Sequence, residues 1–262
     1  MQFRRACRSL SWDLMHRWGL SRRATLSLVT LLASGASVEA RSQFAPWAES
    51  GFGSAEARQL TERDLYPEGR PSLPLSLDAT VAFDRRTPWS QARAIRQLRK
   101  TAAIFEACGV AIRDVTLVRL ALPPPARRID TALTDPVTGV PPTVARLAAR
   151  LPADAAYPVA FLIGRVAGTA SLAVSYRPRL QGETTAPYFN TAWIAYQSHW
   201  LPRRDPSYSP LAHELAHLLC RCGHTKTAHR HLLHSARNFL SSAVLPDDCK
   251  RIQDSPLLSV ND

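Results

Sequence analysis

The chain has 262 residues, of which 45% are hydrophobic and 8% aromatic, and its formal net charge is +12. This size and apolar content predict one folded domain or two small ones and exclude wholesale disorder. No apolar run reaches the ~18 residues of a membrane span, and no repeat, heptad or G-X-Y period indicates a solenoid, a coiled coil or collagen. The basic residues are scattered singly rather than gathered into a stripe with aromatic residues, so we predict no nucleic-acid partner.

The first forty residues have the pattern of an export signal. An arginine-rich opening precedes a weakly apolar run from Ala24 to Val38, which ends in the small-x-small site Val38-Glu39-Ala40. Such a site predicts cleavage before Arg41, although an uncleaved anchor or a buried helix can contain a similar run. We predict that residues 1–40 are a signal peptide and that the released chain has no stable membrane span.

The sequence is compatible with two export routes. Ser21-Arg22-Arg23 resembles a twin-arginine (Tat) signal, but Thr25 stands where that signal usually has phenylalanine. The general secretion (Sec) route fits at least as well, and translation from Met15 instead of Met1 would still give a complete signal. Either route predicts a periplasmic or secreted protein.

The remaining chain predicts a mixed α/β fold. Residues 41–75 show no clean period and are predicted as an extended lead-in or pro-segment, and residues 76–262 as a single domain with parts 76–206 and 207–262. Periodicity and helix punctuation predict helices over Trp89–Cys108, Thr143–Leu151, Ser209–Cys222 and Asp247–Gln253, and strands over Val110–Leu122, Pro158–Gly164, Ser171–Tyr176 and Thr191–Tyr196. This order indicates an α/β (α+β) architecture in which a mixed layer precedes a mainly helical C-terminal part.

The cysteines predict disulfide bonds. Once Cys7 leaves with the signal, four remain: Cys108, Cys220, Cys222 and Cys249. An even count in an oxidising compartment indicates two disulfides. Cys220 and Cys222 are expected to be too close to pair with each other, so each is predicted to reach Cys108 or Cys249. Zinc binding by these thiols is the alternative, although the spacing is C-x-C rather than the C-x2-C of structural zinc sites.

The motif that carries chemistry is His213-Glu214-Leu215-Ala216-His217, an H-E-x-x-H pattern. On a helix, residues four apart share one face, so both imidazoles can bind a single zinc ion. Glu214 lies beside them, where it can accept a proton from a zinc-bound water. Ser209 as N-cap and Pro210 in the first turn support a helix here. The alternative is a surface helix whose histidines and glutamate are merely solvated.

A catalytic zinc needs a third protein ligand. Glu214 is the last glutamate of the chain, so a downstream glutamate is excluded and a histidine is predicted instead. His224 is the leading candidate, and Gly223 before it can supply a tight turn. The other candidates are His229, His231 and His234, for which a solvated basic surface is the alternative.

The segment HELAHLLCRCGH resembles the metzincin zinc peptidases, whose pattern is H-E-x-x-H-x-x-G-x-x-H followed by a methionine turn. The resemblance implies a zincin-like mixed sheet with a helix carrying the motif. It also implies Zn²⁺ ligation by His213, His217 and a following histidine, predicted as His224, with Glu214 as the general base. TAWIAY, over Thr191–Tyr196, resembles the strand that forms the edge of the family's cleft.

The chain departs from the metzincin pattern at three positions. Cys220 stands where the turn glycine belongs, and Gly223 occupies the position of the third ligand, with His224 one residue later. Leu240 replaces the methionine in Arg237-Asn238-Phe239-Leu240-Ser241, which otherwise resembles the methionine turn. These departures indicate a divergent relative rather than a standard member.

Trp193 and Tyr196 have two interpretations. The first is core packing of a pleated strand. The second is an edge strand that pairs with an extended peptide by β-addition and presents its scissile bond to the metal.

The sequence therefore predicts an exported zinc-dependent peptidase whose partner is a protein or peptide substrate. Glu214 is its predicted general base, and His213, His217 and His224 are its predicted metal ligands. Two alternatives stay open. One is a zinc-binding or partner-binding protein that has a zincin fold without turnover, and the other is a zinc hydrolase of the cell-wall amidase type.

Overall fold

The computed structural model describes residues 56–122, 124–131, 141–152, 154–167, 173–176, 188–200, 205–236 and 240–261. These residues all lie in one compact unit, residues 52–262. The predicted signal peptide and its cleavage site lie outside the described residues. None of the described helices combines the length and apolar character that crossing a membrane requires.

The fold is mixed α/β, which confirms the predicted fold class. The strands are β1 Glu56–Gln59, β2 Leu75–Asp84, β3 Val110–Leu120, β4 Arg128–Asp130, β5 Val159–Ile163, β6 Arg165–Ala167, β7 Ala173–Tyr176, β8 Thr191–Ala195 and β9 Ser259–Val260. The helices are α1 Glu62–Leu65, α2 Gln91–Glu106, α3 Pro142–Ala148, α4 Pro210–Cys220 and α5 Pro246–Gln253. Short 3-10 turns cover Pro124–Arg127 and Tyr196–Trp200.

Among the described residues, seven strands form the main sheet, in the order β1-β3-β2-β5-β8-β7, with β9 paired to the start of β2. The inner strands β3, β2, β5 and β8 pair with one another in parallel, whereas β1, β7 and β9 each pair antiparallel with the strand beside them. Parallel neighbours need a crossover connection, and α2 supplies the one between β2 and β3. Strands β4 and β6 form a separate parallel pair.

Local sequence signals explain α2. The Ser90 side chain accepts a hydrogen bond from the Arg93 N–H at the helix N-terminus, and Gly109 takes a left-handed conformation (φ +72°) just after its end. Leu98 and Phe105 are buried on the face that packs on the sheet. Cap, apolar period and terminal glycine therefore agree, and the predicted helix is confirmed within a few residues at either end.

Residues 56–75, in the second half of the predicted lead-in, contribute to the sheet and its core. Strand β1 pairs with β3, and Leu60, Leu65 and Tyr66 are buried in the same cluster as α2 and α4. The Tyr66 hydroxyl accepts a hydrogen bond of 2.8 Å from the Ile112 N–H. The packed part of the chain therefore begins before residue 76.

The expectation that TAWIAY, residues Thr191–Tyr196, forms an edge strand is wrong. Strand β8 lies inside the sheet between β5 and β7, and Trp193, with 0% of its surface exposed, stacks on Phe161 at a centroid separation of 3.9 Å. Apolar side chains on both faces are typical of a strand buried in a parallel sheet. The apolar composition of β8 therefore fits an interior strand. Core packing is confirmed for Trp193. Tyr196 follows the strand and contacts Trp89 edge to face.

The part of the chain that the structure describes contains two disulfides, as predicted, but their predicted pairing is wrong. Cys108 pairs with Cys249, and Cys220 pairs with Cys222. Arg221 takes a left-handed conformation (φ 48°, ψ 31°), which turns the chain so that the Cα atoms of Cys220 and Cys222 lie 5.1 Å apart. This separation is within the ordinary range for a disulfide. All four cysteines of the packed unit are oxidised, so none is a thiolate ligand for zinc.

The two disulfides are expected to differ in their effect on stability. Cys108 and Cys249 are 141 residues apart, whereas Cys220 and Cys222 are separated by two. A cross-link restricts the unfolded chain more when it closes a longer loop, so Cys108→Ser with Cys249→Ser should lower the free energy of unfolding by about 2–5 kcal/mol. Cys220→Ser with Cys222→Ser should lower it by less than about 2 kcal/mol. Denaturant unfolding measures both values, and equal losses would contradict the loop-length argument.

Candidate metal centre

Helix α4 carries the H-E-x-x-H motif into the interior. Ser209 is its N-cap, as predicted, and accepts a hydrogen bond of 3.2 Å from the Ala212 N–H, while Pro210 occupies the first turn. The helix is buried along its whole length and packs against α2, α5, β7 and β8. It ends at the left-handed residue Arg221, so it is shorter than predicted.

The three predicted metal ligands come together. Nε2 of His213 lies 3.0 Å from Nε2 of His224 and 3.1 Å from Nε2 of His217. All three candidate ligand atoms lie within 4.8 Å of one another, so the group can hold a metal ion. His213 and His217 are buried in α4, whereas His224 belongs to the exposed segment that follows the helix.

Hydrogen bonds orient the two helical histidines. Nδ1–H of His213 donates to the Leu232 carbonyl oxygen at 2.6 Å, and Nδ1–H of His217 donates to the Cys222 carbonyl oxygen at 2.9 Å. Because a carbonyl oxygen only accepts, Nδ1 carries a proton in each ring, and Nε2 of the neutral ring presents a lone pair. A backbone partner for the second ring nitrogen is the usual support of a metal-binding histidine.

The converging lone pairs fit a cation. Two Nε2 lone pairs facing each other at about 3 Å repel unless a proton or a cation lies between them. Tetrahedral ligands at about 2.0–2.1 Å from a zinc ion are themselves about 3.3 Å apart, close to the separations found here. Burial, together with the neighbouring His217, lowers the pKa of His213 to about 3, so this imidazole is neutral near pH 7 as metal binding requires.

Glu214 is buried beside the histidines, with only 5% of its surface exposed. One carboxylate oxygen lies 4.0 Å from Nε2 of His213, a contact that is not an ion pair because His213 is neutral. Burial raises the pKa of Glu214 to about 8, and a hydrogen bond from the Ser175 hydroxyl opposes this rise. A carboxyl group with such a pKa can exchange a proton near neutral pH.

The other candidate third ligands do not belong to the group that could hold a metal ion. His229 is exposed, and the buried His231 is hydrogen-bonded to Thr225. Nε2–H of the buried His234 donates to the Thr227 carbonyl oxygen, and its Nδ1 accepts from the Ala236 N–H. The structure therefore groups His224, rather than these three, with His213 and His217.

The turn before His224 differs from the one predicted. Arg221, rather than Gly223, is the residue with positive φ in this segment. The bond between Cys220 and Cys222 closes this turn, and the Cys222 carbonyl oxygen then accepts the bond from His217. Arg237, Asn238 and Phe239 of the predicted methionine-turn segment lie outside the described residues, whereas Leu240 is buried in the core.

Two further residues border the site and are missed by sequence reasoning. Ser175, on β7, donates to the Glu214 carboxylate. Tyr208 is buried, and its ring centroid lies 6.2 Å from that of His213. No motif marks Ser175, because only the pairing of β7 with β8 brings it to the helix. Tyr208 directly precedes the N-cap Ser209 of the motif helix, and this place in the sequence is the one signal that could have indicated its nearness to the site.

Comparison with known proteins gives no relative from which a role could be transferred. No model of a protein family matches the chain. No curated protein matches it at a significant level. The function is therefore argued from the histidine triad and its surroundings.

Proposed function

We propose that this protein is an exported zinc-dependent peptidase. The observation that carries the proposal is the buried Glu214 carboxyl beside three histidines whose Nε2 atoms converge. Three imidazoles with a further position for water are a ligand set typical of catalytic zinc. Glu214 lies among these ligands without being needed as one, which is the position of a general base.

The chain's own residues account for proton movement in this reaction. When bound, zinc supplies a Lewis acid that lowers the pKa of water toward about 7 and polarises the substrate carbonyl. Glu214 accepts the proton of the attacking water and returns it to the leaving amine. The Ser175 hydroxyl orients its carboxylate. The charge of a nearby cation favours the ionised carboxylate, which offsets the effect of burial and makes Glu214 a base at neutral pH.

Strand β7 is the proposed docking edge for the substrate. In the described part of the main sheet it is the terminal strand next to β8, and it packs against α4. An extended peptide that pairs with its outer edge would lie beside Glu214, because Ser175 of this strand contacts that carboxylate. This edge replaces β8 in the sequence-based hypothesis of β-addition.

The position of the turn supports the metzincin resemblance. In the family pattern a glycine at position 220 would make the turn and position 223 would hold the third histidine. Here the left-handed residue is Arg221 and the third histidine is His224, so both are one residue later. The shift of the ligand is therefore matched by a shift of the turn.

Export is also part of the proposal. The paired cysteines of the packed unit are consistent with an oxidising compartment such as the periplasm or the exterior. The sequence pattern of residues 1–40 supports the same location.

Cleavage of a mixed peptide library by purified residues 41–262 tests the function. We expect internal peptide bonds to be hydrolysed, activity to disappear on chelation, and one equivalent of zinc to restore it. Mass spectrometry of the products identifies the bonds that are cut. A zinc-loaded, folded protein that cleaves nothing in the library would contradict the peptidase proposal. The protein would then be a zinc-binding protein without peptidase activity.

A further inference from the structure

The three histidines of the triad are supported unequally. His213 and His217 each donate from Nδ1 to a backbone carbonyl oxygen. Within the described part of the chain, no such bond reaches Nδ1 of His224. Because metal-binding histidines usually need a partner that fixes the ring, the direction of His224 must be set in another way.

The residue after His224 is held at both its backbone and its side chain. The Thr225 N–H donates to the Leu233 carbonyl oxygen at 3.1 Å, and the Thr225 carbonyl oxygen accepts from the Ser235 N–H at 3.1 Å. The Thr225 hydroxyl and Nε2 of His231 share a hydrogen bond of 3.2 Å. Thr225 is thus tied to the 231–235 segment, whose Leu232 carbonyl also accepts from His213.

His231 is a fully buried polar group. None of its surface is exposed, and its neighbours Leu232 and Leu233 belong to the core. Asp248, on α5 and 3% exposed, interacts with it electrostatically. Nδ1 of His231 and Oδ2 of Asp248 both lack a hydrogen-bond partner among the described residues. Buried polar groups without partners are costly and uncommon, so their presence here calls for a function.

We propose that His231 is a positioning residue for the metal centre, which acts through the Thr225 hydroxyl to fix the direction of His224. Its hydrogen bond restricts the rotamer of Thr225 and with it the adjacent backbone of His224. This inference rests on the metal site of the proposed function but not on peptide hydrolysis.

A matched pair of substitutions at Thr225 tests the inference. Thr225→Val keeps the side-chain shape and removes the hydroxyl, whereas Thr225→Ser keeps the hydroxyl. We expect Thr225→Val to weaken zinc binding by about 10–100-fold, the usual effect of losing a supporting hydrogen bond around a metal, and Thr225→Ser to remain close to wild type. Competition with a chromophoric chelator gives the affinities. Absorption spectra of the Co²⁺-substituted proteins should show altered ligation in Thr225→Val alone.

Substitutions at two histidines complete the experiment. His231→Phe should weaken zinc binding to a similar degree as Thr225→Val, and the double variant should lose no more than either single one, because both remove the same bond. His229→Ala, at an exposed histidine of the same segment, should bind zinc like wild type. If His231→Phe does not fold, the Thr225 pair alone decides.

The outcomes separate this inference from the metal site itself. Wild-type protein that binds no zinc would overturn both. Wild-type protein that binds zinc, together with a Thr225→Val variant of equal affinity and equal Co²⁺ spectrum, would overturn the role of His231 only. A Thr225→Val variant that loses stability in its metal-free form while keeping wild-type affinity would likewise overturn it, since His231 would then be purely structural.

Discussion

Replacement of Glu214 by glutamine is expected to reduce peptide cleavage by roughly 10²–10⁴-fold, the typical contribution of a positioned general base. Glutamine has nearly the same shape as glutamate and an oxygen that can still accept from Ser175, but it cannot take up a proton near pH 7. The zinc content should stay close to wild type, because Glu214 is not one of the three converging ligands. Cleavage rates and metal analysis of the same preparation measure both effects.

The pH dependence of stability provides a control that does not need a substrate. Burial raises the pKa of Glu214 to about 8 from an ordinary value of 4.5. Between these values the unfolded chain is ionised at this group while the metal-free folded protein keeps the proton, so stability falls as pH rises through this window. Glutamine does not titrate, so metal-free Glu214→Gln should match wild type near pH 4 and become the more stable protein toward pH 8. Denaturant unfolding at several pH values follows the difference.

Two results would change the assignment of the base. Cleavage by Glu214→Gln at the wild-type rate would show that another group accepts the proton. A difference in unfolding free energy that stays constant from pH 4 to pH 8 would show that Glu214 is not buried in its protonated form.

Elements with strong local signals could be predicted from the sequence. Helix α4 has a serine cap, a proline in its first turn and two histidines four residues apart, and each of these signals acts within one or two turns of helix. The same holds for α2, with its cap and its terminal glycine. The site residues of α4 followed from this periodicity, because spacing on a helix determines which side chains share a face.

Features that depend on distant contacts or on one dihedral angle could not be predicted in this way. The interior position of β8 depends on the order of the strands in the sheet, which is set by distant contacts. The sequence did contain one sign of it, because Ala192, Trp193 and Ile194 give the strand apolar side chains on both faces. The Cys220–Cys222 bond depends on the left-handed conformation of Arg221, which a non-glycine residue seldom adopts. Ser175 has no local signal at all, because only sheet pairing brings it to Glu214.

Removal of one histidine of the triad is expected to abolish stable metal binding. His224→Ala is the most direct variant, because His224 is exposed and its loss leaves no cavity, whereas His213 and His217 are buried in α4. The wild-type protein should contain about one zinc per chain, and His224→Ala about none after dialysis, since two imidazoles alone bind zinc far more weakly than three. Metal analysis of residues 41–262 and of the variant gives both values.

The same variant separates loss of the metal from loss of the fold. A ligand that binds only the folded state stabilises it by about 4 kcal/mol at a thousandfold excess over its Kd, which for a unit of this size raises Tm by about 8–16 °C. Wild-type protein should therefore melt higher with zinc than with chelator, while His224→Ala should melt at one temperature in both, close to that of chelated wild type. His229→Ala, which removes an exposed histidine outside the triad, should keep the full zinc-dependent rise. If His224→Ala kept it too, the third ligand would have to come from elsewhere in the chain.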